Sequence, residues 1–203
     1  MGFEMLKSLA GNNVDLPSEE MLKALSFRTS LNRSTNKLSI DEDILRVVEA
    51  DAQSYKAVIE TSKCLDRFLC RVKTPDSIRR KIERRQGANF QSVFNDLLGI
   101  RIEVDSYDIE IPEYYRVVDM REGKSNNDGY RAIHLYYKLD NFHYIIEVQL
   151  WSKEDYRFNL WSHTYGYKSV EQYILLELRE RYDLGYINSY DEYMKEMNKL
   201  CQK

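Results

Sequence analysis

Apolar residues first fall into helical spacing at Ile44, Val47, Val48, Tyr55, Val58, Ile59, Leu65 and Leu69, one stripe of a long helix. Ser39-Ile-Asp-Glu42 just ahead is a capping-box pattern, so that helix is expected to open there. A shorter helix is expected from Pro17 to about Phe27, where proline suits the first turn and Glu19 and Glu20 suit its positive end. Thr74-Pro75-Asp76 breaks the chain and starts another to about Arg85. It puts Ile78 and Ile82 on one stripe and Ser77 and Lys81 one turn apart on the next. Residues 1–14 are poorly patterned, contain Gly11-Asn12-Asn13, and read as a loose arm.

The period then changes from helical to alternating. Leu98 to Val104 is a β-branched strand, Tyr114 to Met120 a weaker one, and Ile133–Leu139 and Tyr144–Leu150 form a hairpin around Asp140-Asn141. In the last strand Ile146, Val148 and Leu150 take one face and put Glu147 with Gln149 on the other. Helical patterns return from Lys153 onward, interrupted near Ser169 and at Gly185. The expected fold is therefore α/β, a mixed sheet flanked by helices with helical segments at both ends. Residues 1–40 form an arm and short helix, and residues 41–203 form one domain.

Composition narrows the class. At 203 residues and 43% apolar the chain suits one packed domain. It has no apolar run near 18 residues and no signal-peptide pattern, so a cytoplasmic protein without a membrane partner is expected. Cys64, Cys70 and Cys201 lack metal-ligand spacing, and their odd count argues for reduced thiols. Three dispersed histidines make zinc chemistry a poor fit but leave room for an oxygen-ligated ion. The net charge of −3 conceals a basic stretch, residues 67–85, with eight Lys/Arg against two acids. An anion site there is plausible, as is a solvated helix face.

The candidate chemistry lies between residues 71 and 168. Asp96 stands at the mouth of one strand and Glu147 inside another. Two such carboxylates can hold Mg²⁺ with a polyphosphate, although a Glu paired to Arg on an exposed sheet face would leave the same pattern. Arg71, Lys73 and Lys81, with Ser77, supply the charge that a nucleoside triphosphate requires. Arg101 shares a strand with Gly99, whose missing side chain permits close approach. From Lys124 to His134, Asn126-Asn127-Asp128-Gly129 makes a turn that delivers Tyr130, Arg131 and His134. The tyrosine there can stack on a base or simply pack a hairpin, while Arg131 and His134 can reach phosphate.

Taken in order, Arg71-Val-Lys73-Thr-Pro75-Asp-Ser77-Ile, Asp96-Leu-Leu-Gly99-Ile-Arg101, Asp128-Gly129-Tyr130-Arg131-Ala-Ile-His134, Glu147-Val-Gln149 and His163-Thr-Tyr165-Gly-Tyr-Lys168 make a specific set. On these motifs the chain resembles the synthetase domain of RelA/SpoT proteins, particularly the small single-domain alarmone synthetases, including their toxic, tRNA-modifying branch. The resemblance implies a nucleotidyltransferase-like core with about five strands. It implies transfer of the β,γ-pyrophosphate of ATP to a 3′-hydroxyl, by family default that of GDP or GTP, giving (p)ppGpp. Arg71 and Arg101 would sandwich adenine, and Lys73, Ser77 and Lys81 would hold the ATP phosphates. Asp96 and Glu147 would hold Mg²⁺, and Glu147 would also activate the acceptor hydroxyl. Tyr130 would stack on the acceptor base, with Arg131, His134, Gln149, Lys124 and Arg116 around the acceptor.

Two departures bear on the acceptor. The family usually continues Glu-x-Gln with Ile-Arg-Thr, whereas Leu150-Trp151-Ser152 follows here and removes a cation. Only nine residues separate Val104 from Tyr114, where relatives insert a helix, so that side of the pocket should be more open. The toxic branch acts on the 3′-terminal adenosine of tRNA, and Arg28, Arg33, Lys37 and Arg116 outside the pocket would suit such a substrate. A net acidic chain counts mildly against general RNA affinity. A homo-oligomer and an antitoxin partner are further implications of the resemblance alone. A silent nucleotide- or RNA-binding module would have little reason to keep both acids among phosphate-seeking cations.

Overall fold

The computed structural model describes residues 14–62, 66–121, 128–166 and 169–202. Its first helix, α1, is Glu19–Leu25, and the side chain of Ser18 caps it by accepting from the Met21 N–H. Pro17 therefore sits before the helix rather than in its first turn, and its carbonyl accepts from the hydroxyls of Tyr114 and Tyr115. Helix α2, Glu42–Glu60, starts from Asp41, whose carboxylate accepts from the Ile44 N–H at 2.8 Å. Ser39 is not the cap, because Asp41 stands nearer the first apolar residue and fills the same role. Of the expected stripe, Ile44, Val48, Tyr55 and Ile59 are buried, Val58 is exposed, and Leu69 belongs to the next strand; Leu65 lies outside the described residues.

Strand β1, Leu69–Val72, is followed by α3, Pro75–Arg84, capped by Thr74 with Pro75 in its first turn. A short helix α4, Phe90–Val93, leads into β2, Leu98–Val104. No helix separates β2 from β3, Arg116–Asp119; β4 is Ile133–Tyr137 and β5 is Ile146–Ser152. The rest is helical: α5 Lys153–Trp161 ending in a π-helical turn, α6 Gln172–Asp183 and α7 Tyr190–Cys201. Gly185, at φ +76°, supplies the left-handed backbone between the last two.

The five strands form one mixed sheet in the order β1-β2-β5-β4-β3, with β2 and β5 parallel and the other neighbours antiparallel. The mixed α/β fold expected from the sequence is thus present, with β1 as a strand that periodicity missed. Register divides the sheet cleanly. Ile100, Val148 and Leu135 lie opposite one another on one face and join Leu22, Leu25, Ile44, Val48, Tyr55, Phe90 and Phe94 in the main core. At roughly 1.5–3 kcal/mol for each fully buried large apolar side chain, this face carries most of the stabilisation. A second, smaller core joins Phe158, Leu175, Leu178 and Tyr193 among the C-terminal helices. Among the described residues no helix is long and apolar enough to cross a membrane. Cys70 is disulfide-bonded and Cys201 is free, so the expectation of reduced thiols fails at Cys70; an odd count leaves one thiol over but does not forbid a pair.

Candidate functional site

The opposite face of the sheet is polar because the alternation that buries Val148 and Leu150 must turn Glu147, Gln149 and Trp151 the other way. Gly99 lies beside Glu147 and Arg101 beside Gln149 on β2, Arg71 beside Gly99 on β1, and His134 and Tyr136 beside Gln149 and Glu147 on β4. Arg116 on β3 lies beside Tyr136 and stacks over its ring at 4.5 Å. Seven sequence-predicted positions, Arg71, Gly99, Arg101, His134, Glu147, Gln149 and Arg116, therefore share one surface. A Cβ at Gly99 would meet only the Arg71 carbonyl oxygen at 3.9 Å, so glycine leaves open space there rather than relieving a clash.

At the end of the sheet where β2 and β5 begin, a cation cluster stands over this face. Lys73 follows β1, Lys81 projects from α3, and both ammonium groups bind Asp96 in the turn before β2, Lys81 at 2.8 Å. Lys81 also donates to the Asn95 side chain at 2.8 Å. Burial alone would raise the Asp96 pKa, but Lys81 and Lys73 outweigh it and hold the carboxyl below its ordinary value. Burial lowers the Lys81 pKa, and Asp96 only partly offsets that. Ser77 sits in the first turn of α3, its hydroxyl and N–H both engaged with the Thr74 hydroxyl. Arg71 is exposed.

Glu147 is buried and heavily partnered. Its Oε1 accepts from Tyr136 Oη at 3.0 Å and lies 3.1 Å from His134 Nδ1, and its Oε2 accepts from Gln149 Nε2 at 2.7 Å. Burial works to raise its pKa; the hydrogen bond from His134, aided by that from Gln149, prevails, so the carboxylate is held ionised. Tyr130 Oη accepts from Trp151 Nε1 at 2.9 Å and lies 2.9 Å from His134 Nε2. Burial pushes the Tyr130 and Tyr136 phenols far above their usual range, so both remain protonated. The guanidinium of Arg101 lies 3.6 Å from the centre of the Trp151 ring, and its Nε finds no hydrogen-bond partner among the described residues. Sequence reasoning missed Tyr136 as a site residue. Its alternation with His134 was the available signal.

Arg131 is placed elsewhere. Its guanidinium donates to Asp183 at 2.8 Å and lines a separate cleft of about 440 Å³ with Arg157, Arg179 and other residues of α5 and α6. Tyr130 and Arg131, adjacent in the chain, thus serve opposite sides of the same loop. Gly129, at φ +75°, makes this possible: a Cβ there would meet the Arg179 Cβ at 2.6 Å, so the loop rests directly on α6. Lys124, Tyr167 and Lys168 lie outside the described residues. Arg28 stacks on Phe142 at 4.9 Å, on the segment joining β4 to β5.

The charge of Asp96 works to raise the Glu147 pKa, as a nearby acid does. Among the described residues no three His, Cys, Asp or Glu side chains gather into a metal cage. Asp96 between two lysines and Glu147 among Tyr136, His134 and Gln149 are oxygen donors of the kind that fit a hard dication completing its shell with phosphate and water. No family model and no curated protein matches the chain. Its similarity is to solved structures. Small alarmone synthetase 1 from Bacillus subtilis, bound to its product pppGpp, is 22% identical with a TM-score of 0.45, covering 80% of this chain and 100% of that one. The chain is likewise similar to small alarmone synthetase 2 from Bacillus subtilis, at 21% identity and TM-score 0.43 over 79% of this chain and 97% of that one. It is also similar to a GTP pyrophosphokinase family protein from Streptococcus pneumoniae, at 17% and 0.41 over 78% and 91%.

Proposed function

We propose that the chain is an ATP-dependent pyrophosphotransferase acting on a ribose 3′-hydroxyl, with GDP or GTP as the first-choice acceptor. The observation that carries this reading is the single polar sheet face on which Glu147 stands ionised, with Lys73, Lys81 and Asp96 at its open end. Phosphoryl-type transfer needs in-line positioning and charge neutralisation more than covalent chemistry, and these groups offer both. Arg71 and Arg101 would bind the adenine, and Lys73, Lys81 and Ser77 the phosphates. The acceptor's 3′-oxygen would form a bond to the β-phosphorus as the bond to the α-phosphate oxygen breaks and AMP leaves, its proton passing to Glu147. Mg²⁺, held by Asp96 and Glu147, would neutralise charge on the transferred group.

Around the acceptor, Tyr130 offers its ring, His134, Gln149 and Arg116 their polar edges, and Lys124 completes the proposed set. Arg131 would join only by leaving Asp183. One observation favours tRNA as a second acceptor: Trp151 fills the place of a family arginine, so a nucleotide's 5′-phosphates find one cation fewer. Incubation with γ-labelled ATP, Mg²⁺ and either GDP/GTP or bulk tRNA decides the matter. Label in a guanine nucleotide is the expected result, label in tRNA alone reverses the order, and label in neither leaves only a binding module. Glu147→Gln should keep ATP affinity within about twofold while abolishing transfer, since it removes the base and keeps the shape. Retained turnover would take Glu147 out of the base role.

A further inference from the structure

Trp151 departs from the family pattern, and the hydrogen-bond chain it begins ends on Glu147. An indole N–H can only donate. Trp151 Nε1 lies 2.9 Å from Tyr130 Oη, so that oxygen accepts and directs its own proton elsewhere; His134 Nε2 is 2.9 Å away. At the far end an ionised carboxylate can only accept, and Glu147 Oε1 lies 3.1 Å from His134 Nδ1. A neutral imidazole has one proton to place between these two ends. Only the Nδ1–H form then gives every donor an acceptor: Tyr130 O–H to Nε2, and Nδ1–H to Glu147 Oε1. Tyr136 fits the same polarity, since its O–H donates to Oε1 at 3.0 Å while its oxygen stands 3.3 Å from Nδ1.

We propose that Trp151 is a positioning residue whose N–H fixes the direction of the chain Trp151–Tyr130–His134–Glu147 and so locks His134 in the Nδ1–H form against Glu147. Oε1 is thereby occupied by Tyr136 and His134, which leaves Oε2, held from one side by Gln149 at 2.7 Å, as the oxygen that would face both the proposed metal and the reacting hydroxyl. The role resembles that of the partners which orient a catalytic imidazole from its far nitrogen. The same indole lies beneath the Arg101 guanidinium, so one side chain ties the base to the proposed adenine site.

Trp151→Phe is the informative variant, because it keeps an aromatic ring beneath Arg101 and removes the N–H, although with it goes the rest of the second ring of a buried side chain. Nitrogen-15 spectra of histidine-labelled protein, recorded where the ring signals are those of the neutral form, report the tautomer directly. The signal is assigned by its loss in His134→Asn. The wild type should show Nδ1–H, and Trp151→Phe should shift His134 toward a tautomer mixture. A wild-type Nε2–H form, or a variant spectrum identical to wild type, overturns the proposal. If Trp151→Phe does not fold, Tyr130→Phe cuts the same chain one link on and should release the tautomer in the same way.

The kinetic consequence rests on Glu147 being the base. Trp151→Phe should then lower kcat about tenfold with KM for ATP unchanged, the scale typical of lost outer hydrogen bonds. Tyr130→Phe should do the same, and the double variant should be no worse than either alone, because both cut one chain. Additive losses would show that Trp151 does not act through Tyr130. Should Glu147→Gln retain turnover, the base assignment falls while the tautomer result still stands or falls by itself.

Discussion

Asp96→Asn keeps the shape of the acid but removes the charge shared by Lys73 and Lys81. The two lysine side chains are only 10% and 11% exposed and Asp96 is 20% exposed, so solvent cannot take over the neutralisation cheaply. Breaking a buried pair in this way costs about 3–5 kcal/mol, and the residual exposure of Asp96 places this case near about 3. For a chain of this size that is a fall of roughly 6–12 °C in Tm. The same change frees two ammonium groups for a polyphosphate. Metal-free ATP should therefore bind the variant more tightly, by about fivefold or roughly 1 kcal/mol, and recover part of the lost stability. Transfer with Mg²⁺ should nonetheless be lost if Asp96 is a metal ligand. Thermal unfolding with and without ATP in EDTA, together with titration calorimetry, measures both effects. A variant melting within about 2 °C of wild type, or binding metal-free ATP more weakly, would refute the picture of Asp96 as the partner that occupies these cations.

Acid should act through the same group. The folded pKa of Asp96 lies below its ordinary 3.8, so its contribution is complete above that value and disappears as pH falls through the folded one; Asp96→Asn should lack this limb in denaturant titrations below pH 3.8. Gly129→Ala should cost about 3 kcal/mol in urea unfolding, combining a left-handed backbone penalty with the collision at Arg179, and a loss below about 1 would show that the loop can leave α6 freely.

The sequence was most legible where local chemistry and tertiary packing agree. Thr74-Pro75 marks the start of α3 because a cap and a fixed proline φ suffice to begin a helix, and Leu98–Val104 forms β2 because its alternation matches the two faces it meets. The placement of Glu147 with Gln149 on one face followed from the same period of two. Ser39 misled because Asp41, two residues on, is an equally good cap nearer the apolar stripe. β1 was hidden because four residues give too few alternations, and Leu69 happened to continue the spacing of α2. Tyr130 and Arg131 could not be separated by pattern, since a loop carries no period; Gly129 on α6 decides which way each turns. The contacts of Trp151 with Tyr130 and Arg101 join segments 21 and 50 residues away and leave no local trace.

The parallel pairing of β2 with β5 gives this site a place in folding time. Lys73, Lys81 and Asp96 belong to a stretch that can associate early, through α3 and the turn before β2. The surface beneath them cannot form until residue 146 onward returns to lie alongside residue 98, a closure spanning 48 positions that must pass through β3 and β4. Long-range parallel closure of this kind is intrinsically slow. A growing chain would thus carry an anion-seeking cluster before it carried Glu147. On the proposed function, polyphosphate binding and reaction should emerge at different moments of refolding, the second only together with the finished sheet.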